Sequence, residues 1–374
     1  MSLHGARRKN AILFLIGWLA MPLLACAADI SSLSKQPDEW FTSDDGKRSL
    51  DNVLTWQNGN GGWWKAYDPN SPRKGAADKV DPRFPKQDQN LSGQVSTFDN
   101  KATWSELRLL ARAVRLTNEQ KYEDAFDRGL KFTLAAQYPN GGWPQRFPLE
   151  DNYGRHITFN DEAMVEVMKF VRDVAGGKED FDFVDDATRK QCAAAFDKGV
   201  ECILNCQIKV DGKPTVWCAQ HDEVTLAPAK ARAYELASFS GGESAAITML
   251  LMDIDNPSDR VKQAVRGAVA WYEQSKLIGI REERKPDSRL PKGFDVVVVE
   301  DPSAPPLWAR FYDIETGKPY FCGRDGVKKP SLAEVEMERR AGYAWLRPWG
   351  DKVLKAYPKW AAKHGVAPLK SAAS

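Results

Sequence analysis

The chain has 374 residues, of which 43% are hydrophobic and 28% charged, and its formal net charge at pH 7 is +2. This length and apolar content are sufficient for a sizeable hydrophobic core. A charge balance so close to neutral excludes attraction to nucleic acid or to an anionic membrane through the overall field. An acidic ligand would therefore have to be bound by a local cluster of cations.

The first residues predict a secretory signal peptide over 1–27. Arg7, Arg8 and Lys9 precede an apolar run at 11–24 that ends in small residues, which is typical of such signals, and the run is too short for a membrane-spanning helix. Two processing routes stay open, cleavage before Ala28 or acylation of Cys26 as a lipoprotein. We expect a secreted or periplasmic protein, or one anchored to the outer membrane as a lipoprotein. Loss of the first 26 residues removes three cations and changes the net charge to −1.

Helical periodicity dominates the rest of the chain. No linker rich in proline, glycine or serine interrupts residues 35–365, so we predict one domain over 28–365 and a flexible tail over 366–374. Thr103 and Glu106 have the spacing of a capping box at the start of the first long helix. Apolar residues recur there at helical spacing, at Leu107, Leu110, Ala111 and Val114. The predicted long helices cover 101–117, 119–137, 161–175, 186–206, 241–253 and 259–275.

Between the helices the chain repeats itself. QNGNGGWW at 57–64 resembles QYPNGGWP at 137–144, and TFDN at 97–100 resembles TFND at 158–161 and SFSG at 238–241. Such repeats suggest helical hairpins stacked into a ring or solenoid. A closed ring would bring Asp99, Asn100, Asn160 and Asp161 to one rim. The tryptophans of the glycine-rich turns (Trp63, Trp64 and Trp143) would either stack on sugar faces or belong to the core.

The segment from 290 to 325 differs from the helical pattern. FDVVVVEDP reads as a strand, and ARFYDIETGKPYFCGRDG at 309–326 reads as two strands around a turn at Thr316 and Gly317. We predict a small insertion that contains β-structure and lies over the cleft.

The acidic residues of the repeated rim motif allow two interpretations. Asp99, Asn100 and Asp161 could simply cap helix starts and complement the helix dipole. Alternatively, two carboxylates and an amide oxygen that converge on one rim are hard oxygen ligands suited to Ca²⁺. No EF-hand loop and no zinc ligand set of His and Cys is present in the sequence.

Four cations near the same rim are candidates for binding an acidic ligand. They are Lys230, Arg232, Arg310 and Arg324, and the alternative is that each is solvated or in a weak surface pair. Arg232 lies six residues before the third rim motif, so we expect it at the same rim. Arg310 and Arg324 flank the predicted hairpin, and the planar fork of arginine matches a carboxylate bidentately.

Four strings in the chain resemble the family 10 pectate lyases: FDNKATWSELRLLARA, NGGWPQRFP, HITFNDEAM and ARFYDIETGKPYFCGRDG. The resemblance covers roughly residues 35–350. It implies a mainly α fold, an incomplete α/α toroid, and Ca²⁺-dependent β-elimination on polygalacturonate, the acidic polysaccharide of plant cell walls. Residue by residue, it places the acidic cleft on Asp99, Asn100 and Asp161 and the substrate-binding arginines on Arg310 and Arg324.

The same resemblance places the catalytic base on Arg232. A guanidinium is ordinarily always protonated, so such a base requires neighbouring positive charge to lower its pKa and an alkaline pH optimum. We assign Ca²⁺ to Asp161, Asn100 and Asp99, and substrate binding to Asp99, Lys230, Arg310 and Arg324. The expected partner is pectate, with no nucleic acid, and we expect a monomer.

Two other classes of function stay open from the sequence. A glycoside hydrolase would use Asp99 and Asp161 as its pair of carboxylates and would need no Ca²⁺. A pectin-binding protein tethered to the surface would have the cleft without the activity.

Overall fold

The structure is a computed structural model that describes residues 30–65, 67–75, 95–290, 292–367 and 369. The predicted signal peptide and most of the predicted tail lie outside these residues. In the described part, no helix combines the length and the apolar character needed to cross a membrane.

The fold is mainly helical, as predicted. The helices are α1 (Ile30–Leu33), α2 (Asp38–Thr42), α3 (Asp44–Thr55), α4 (Trp104–Thr117), α5 (Gln120–Ala135), α6 (Ala163–Ala175), α7 (Asp186–Cys206), α8 (Glu243–Met252), α9 (Asp259–Gln274), α10 (Met337–Gly342) and α11 (Trp349–Lys363). All six predicted long helices are present, with ends that differ from the prediction by three residues or fewer.

Fourteen short strands are found among the described residues. They are β1 (Ser96–Thr97), β2 (Arg146–Phe147), β3 (Ile157–Thr158), β4 (Lys209–Val210), β5 (Lys213–Pro214), β6 (Gln220–His221), β7 (Phe239–Ser240), β8 (Ile280–Pro286), β9 (Phe294–Glu300), β10 (Trp308–Ala309), β11 (Phe311–Tyr312), β12 (Pro319–Cys322), β13 (Lys328–Lys329) and β14 (Leu346–Arg347). They form five two-stranded sheets and one four-stranded sheet of order β13-β12-β11-β7.

The helices form consecutive pairs, α4 with α5, α6 with α7, and α8 with α9. The first helices of these pairs are neighbours in chain order, because α4 contacts α6 and α6 contacts α8. Helix α11, which belongs to none of these pairs, packs against α8. Apolar stripes on these helices fill two hydrophobic clusters, and Trp104, Leu134 and Phe196 pack against both of them.

The repeated glutamine-to-tryptophan turns attach each helix pair to the next. Each glutamine amide donates to a backbone carbonyl of the second helix of the following pair, Gln57 to Ala125 at 2.8 Å, Gln137 to Ala195 at 2.8 Å and Gln207 to Ala264 at 2.9 Å. Each tryptophan Nε1 donates back to the preceding helix, Trp63 to Val53, Trp143 to Thr133 and Trp217 to Ile203. The third turn escapes the sequence comparison because it lacks the Asn-Gly-Gly-Trp string.

The glycines of the first two turns are required by the backbone. Gly61 and Gly141 have φ of 98° and 93°, values that favour glycine. A Cβ atom at either position would collide with a backbone carbonyl oxygen, that of Arg128 or of Lys198. Trp63 and Trp143 are fully buried, so the core interpretation of these two tryptophans is correct and neither can stack on a sugar in this structure.

The predicted cap by the Thr103 side chain is wrong, although the Glu106 carboxylate does accept a hydrogen bond from the Thr103 backbone. Thr103 has a φ of 69°, and its side chain makes no capping hydrogen bond. Its Oγ1 instead donates to the carbonyl of Thr97 at 2.9 Å and accepts from the backbone N–H of Trp63 at 3.0 Å. Tyr67 donates to the Glu106 carboxylate at 3.1 Å. Contacts between distant segments thus replace the local cap.

The rim motifs have one structural pattern. Each begins with a two-residue strand that pairs with a later segment, β1 with β2, β3 with β6 and β7 with β11. The register places Thr97 opposite Arg146 and Thr158 opposite Gln220. This pairing brings side chains from distant parts of the chain to one rim.

The insertion contains more β-structure than the sequence indicates. Strands β8 and β9 pair over their full lengths, and β11 and β12 pair around Gly317, whose φ is 67°. From the insertion, Arg324 is the side chain that reaches the cleft described below. The predicted position over the cleft therefore applies to the end of the insertion and not to the β8–β9 hairpin.

Candidate active site

A cleft of about 710 Å³ opens at the rim where the repeated motifs meet. Its walls combine acids, cations and uncharged polar groups, with Tyr153 and Tyr234 as its aromatic residues. The lining residues are Lys65, Asp99, Asn100, Gln145, Arg146, Asn152, Tyr153, Asn160, Asp161, Gln220, Arg232, Ala233, Tyr234, Glu235, Arg324, Glu338 and Arg339. The cleft thus unites Asp99, Asn100, Asp161, Arg232 and Arg324, five of the seven residues assigned from sequence.

Two matching turns carry the acidic residues into the cleft. Asp99–Lys101 and Asn160–Glu162 each form a single 3₁₀ turn, and Asn100 and Asp161 occupy the same place in it with φ of 50° and 52°. This left-handed conformation is rare for most residues, but Asn and Asp adopt it more readily than other L-residues. The shared geometry is compatible with either order, Asp-Asn in one turn and Asn-Asp in the other.

Asp99 is nearly buried, at 5% exposure, and only one of its two carboxylate oxygens has partners among the described residues. Its Oδ2 pairs with the ammonium group of Lys65 and accepts from Asn100 at 3.4 Å. Its Oδ1 is buried and has no hydrogen-bond partner among the described residues. A buried carboxylate oxygen without a donor is unusual, and it is what a cation ligand requires.

Asp161 is the more open of the two acids, with 42% of its side chain exposed. Burial raises its pKa and the Asp99 carboxylate raises it further, while Arg310 and Arg232 act in the opposite direction. Its Oδ2 accepts from Asn160 Nδ2 at 2.9 Å. A second carboxylate near enough to raise the pKa of Asp161 makes this pair of acids suited to sharing a cation.

Arg310 lies behind this turn and does not line the cleft. Its side chain is 9% exposed, and its Nη2 donates to Glu243 at 2.7 Å and to Asn160 Oδ1 at 3.0 Å, with Asp161 at 3.6 Å. Burial lowers its pKa, but Glu243 and the other acids raise it above the ordinary value. These contacts make Arg310 a support of the Asn160–Asp161 turn, and its contact with substrate stays a prediction.

Arg232 faces the cleft from a segment without regular structure, just before β7. Its Nε and Nη2 donate to the two carboxylate oxygens of Glu235 at 2.8 and 2.5 Å. The guanidinium also lies 5.1 Å from the centre of the Tyr234 ring. Burial lowers the pKa of Arg232, but the hydrogen bonds and charge of Glu235 outweigh burial and raise it. Glu235 therefore opposes the lowered pKa of Arg232 that the sequence-based expectation requires.

The remaining two cations differ in position. Arg324 lines the cleft, and its Nε and Nη2 donate to Glu338 at 3.0 and 3.2 Å. Lys230 is exposed and is not part of the lining. Of Lys230 and Arg232, which lie two residues apart, Arg232 lines the cleft and Lys230 lies just outside its lining.

Sequence reasoning missed several charged residues of the cleft. Glu235 follows Arg232 by three residues, a spacing that could have indicated the pair. Arg146 belongs to the NGGWPQRFP string, and its guanidinium lies 5.4 Å from the Trp64 ring and 5.5 Å from the Tyr153 ring. Lys65 and Arg339 carry no local signal, since each reaches the cleft through tertiary contacts alone.

A second group of possible metal ligands lies outside this cleft. His156, Asp222 and Glu223 offer ligand atoms within 4.8 Å of one another. However, Glu223 already pairs with Arg155 at 2.5 Å and with His156 at 3.1 Å. Asp222 Oδ1 accepts three hydrogen bonds from Val224 and Thr225. Because these carboxylates are engaged within the protein, we assign no metal to them.

Comparison with known proteins gives the family. A profile described as pectic acid lyase matches residues 57–354. The chain belongs to the pectic acid lyase family. A search among curated proteins found no significant match.

Two solved structures are similar to this pectic acid lyase family member over most of its length. One is a family 10 polysaccharide lyase from Cellvibrio cellulosa, with 33% identity, a TM-score of 0.71, and coverage of 87% of this chain and 96% of the other. The other is a mutant of a family 10 polysaccharide lyase from the same organism in complex with trigalacturonic acid, with 32% identity, a TM-score of 0.71, and coverage of 89% and 98%. The cleft described above thus belongs to a polysaccharide lyase, which disfavours the hydrolase alternative.

Proposed function

We propose that the protein is a pectate lyase that cleaves α-1,4-linked polygalacturonate by Ca²⁺-dependent β-elimination, with Arg232 as the base. The observation that carries the proposal is the convergence of Arg232, Asp161, Asp99 and Asn100 on one cleft in a chain of the pectic acid lyase family. The complex of the similar Cellvibrio lyase with trigalacturonic acid supports an acidic oligosaccharide as the ligand.

Asp161, Asn100 and Asp99 would hold the Ca²⁺. The residues fit this ion because Asp99 Oδ1 is buried without a donor, Asp161 is partly exposed, and all three present oxygen atoms to the cleft. When bound, Ca²⁺ would neutralise the sugar carboxylate and stabilise the negative charge that develops there. Lys65, paired with Asp99, leaves the site less negative than two free carboxylates would be.

The cations of the chain would orient the substrate. Arg324 presents its guanidinium in the cleft wall and would bind a sugar carboxylate. Arg310 would hold the Asn160–Asp161 turn in place through its hydrogen bond to Asn160. As the sequence predicts, it would also bind the substrate. Lys230, just outside the cleft lining, would attract the polyanion without a direct contact. Asp99 would contact the substrate in addition to serving as a calcium ligand.

Arg232 would accept the proton from C5 of the galacturonate. The C5–H electron pair forms the C4=C5 double bond as the bond between C4 and the glycosidic oxygen breaks. The leaving oxygen takes a proton from solvent, and the product is a 4,5-unsaturated oligogalacturonide. Because Arg232 must be neutral to act as a base, we expect activity to rise toward alkaline pH.

The first experiment follows ultraviolet absorbance while the protein is incubated with polygalacturonate. We expect the absorbance of the unsaturated product to rise for the wild type, and to be lost with a chelator and in Arg232→Ala. New reducing ends without absorbance would establish hydrolysis and transfer the chemistry to Asp99 and Asp161. Binding of pectate with neither signal would establish a binding protein without activity.

The row of helix pairs would form the incomplete α/α toroid implied by the resemblance, within one domain over 28–365. Export would depend on the signal peptide, followed by secretion, periplasmic residence or anchoring at Cys26. The protein would act as a monomer.

A further inference from the structure

The orientation of Arg232 depends on one buried carboxylate, that of Glu235. The guanidinium of Arg232 donates to both carboxylate oxygens of Glu235, at 2.8 Å from Nε and 2.5 Å from Nη2. The backbone N–H of Arg232 also donates to Oε2 at 3.3 Å. Glu235 is only 7% exposed. A bidentate contact to a buried partner fixes the plane of the guanidinium.

Glu235 is itself held by contacts on two sides. Tyr343, more than a hundred residues later in the chain, donates its hydroxyl to Glu235 Oε1 at 2.8 Å. The backbone closes a tight turn, in which Glu235 N donates to the carbonyl of Arg232 and Ala231 N donates to the carbonyl of Glu235, both at 2.9 Å. The carboxylate therefore has little freedom to follow a displaced arginine.

We propose that Glu235, supported by Tyr343, is a positioning residue that holds the Arg232 guanidinium in the orientation required for taking the C5 proton. The inference rests on the proposed function, in which Arg232 is the base. Glu235 lines the cleft beside Arg232, but it acts through the arginine and not on the sugar.

The charge of Glu235 opposes the reaction while its geometry favours it. The carboxylate raises the pKa of Arg232 against the lowering effect of burial, so it keeps the guanidinium protonated to higher pH. The other charged or titratable groups facing Arg232 are Tyr234, Tyr343 and Asp161, with Arg324 and Arg339 packed against the same Tyr234 ring. Charge and geometry can be separated by substitution.

Two variants of Glu235 make the separation. Glu235→Gln keeps the length of the side chain and removes the charge, whereas Glu235→Asp keeps the charge and shortens the reach. We expect both to lower kcat, by up to about 100-fold for a misplaced base, with little change in KM. In Glu235→Gln alone, the rise of kcat with pH should move to lower pH by about 1 unit, because an opposite charge near Arg232 has been removed.

Glu338→Gln is the matched control, since Glu338 pairs with Arg324 and Arg339 and, in the described part of the chain, makes no hydrogen bond or ion pair with Arg232. We expect it to change KM and to leave the pH dependence of kcat as in the wild type. Tyr343→Phe removes one hydrogen bond from Glu235 and should lower kcat by about fivefold. It tests the inference even if the Glu235 variants do not fold, which circular dichroism and thermal unfolding would reveal.

The inference is overturned if Glu235→Gln has the wild-type kcat, or if both Glu235 variants lose activity with an unshifted pH profile. A wild-type kcat for Tyr343→Phe would also contradict it. Failure of the proposed function would give a different result. Either the wild type would have no activity on polygalacturonate, or the Arg232→Ala variant would keep full activity.

Discussion

Glu243 should be among the polar residues of the site most important for stability. Its carboxylate side chain is 5% exposed and accepts from Arg310 Nη2 at 2.7 Å, and it also accepts from the Ser240 hydroxyl. Arg310 is 9% exposed, so water cannot replace the lost charge in Glu243→Gln. Removing one partner of a buried ion pair typically costs about 3–5 kcal/mol. Because glutamine keeps an acceptor oxygen for Arg310, we expect the lower end, about 3 kcal/mol.

Glu338→Gln, in the wall of the cleft, provides the comparison. Glu338 pairs with Arg324 at 3.0 Å, but the two side chains are 53% and 59% exposed. An exposed pair contributes at most about 1 kcal/mol. The two substitutions make the same chemical change, and burial is the main difference between the sites.

Urea denaturation of the wild type and of both variants measures the effect. We expect the midpoint of Glu243→Gln to fall well below that of Glu338→Gln, with an unchanged slope of the unfolding free energy against urea. If the two variants differ by less than about 1 kcal/mol, the buried pair does not support the Asn160–Asp161 turn in the way described. The double variant Glu243→Gln with Arg310→Met gives a second test. We expect its loss of unfolding free energy to be smaller than the sum of the losses in the two single variants, because the two side chains interact. A loss equal to that sum would contradict the pairing.

Further predictions concern the buried acid Glu106 and the cations Arg324 and Lys230. Burial raises the pKa of Glu106 from 4.5 to about 7, so this acid makes the free energy of unfolding fall as the pH rises through that interval, by up to about 3 kcal/mol. Glu106→Gln should remove this fall in urea titrations at pH values on either side, and an unchanged pH dependence would contradict the assignment. Arg324→Ala should raise KM for polygalacturonate about tenfold through loss of a charge-assisted hydrogen bond, while Lys230→Ala, exposed at the margin, should change KM less than about twofold. Steady-state kinetics measure both, and an equal effect of the two substitutions would place Lys230 in the cleft.

Repeats and periodicity determine much of this fold. The apolar stripe at 107–114 predicts α4, and the repeated Gly-Gly pairs mark turns in which Gly61 and Gly141 need a positive φ. The TFDN and TFND strings likewise mark two turns of one geometry, with Asn100 and Asp161 at the same left-handed position. These features are local, since each depends on residues a few positions apart, and a sequence reports such relations directly.

The partners of the site residues were decided by the tertiary structure. Lys65 pairs with Asp99 across 34 positions, Arg310 donates to Asn160 across 150 and Tyr343 to Glu235 across 108. Local reasoning therefore placed Arg310 at the surface of the cleft, where the structure has it buried. It also expected Arg232 to have a lowered pKa without seeing its pairing with Glu235. The sequence determined which residue types are available at the rim, but burial and pairing depend on segments that meet only when the helix pairs pack side by side.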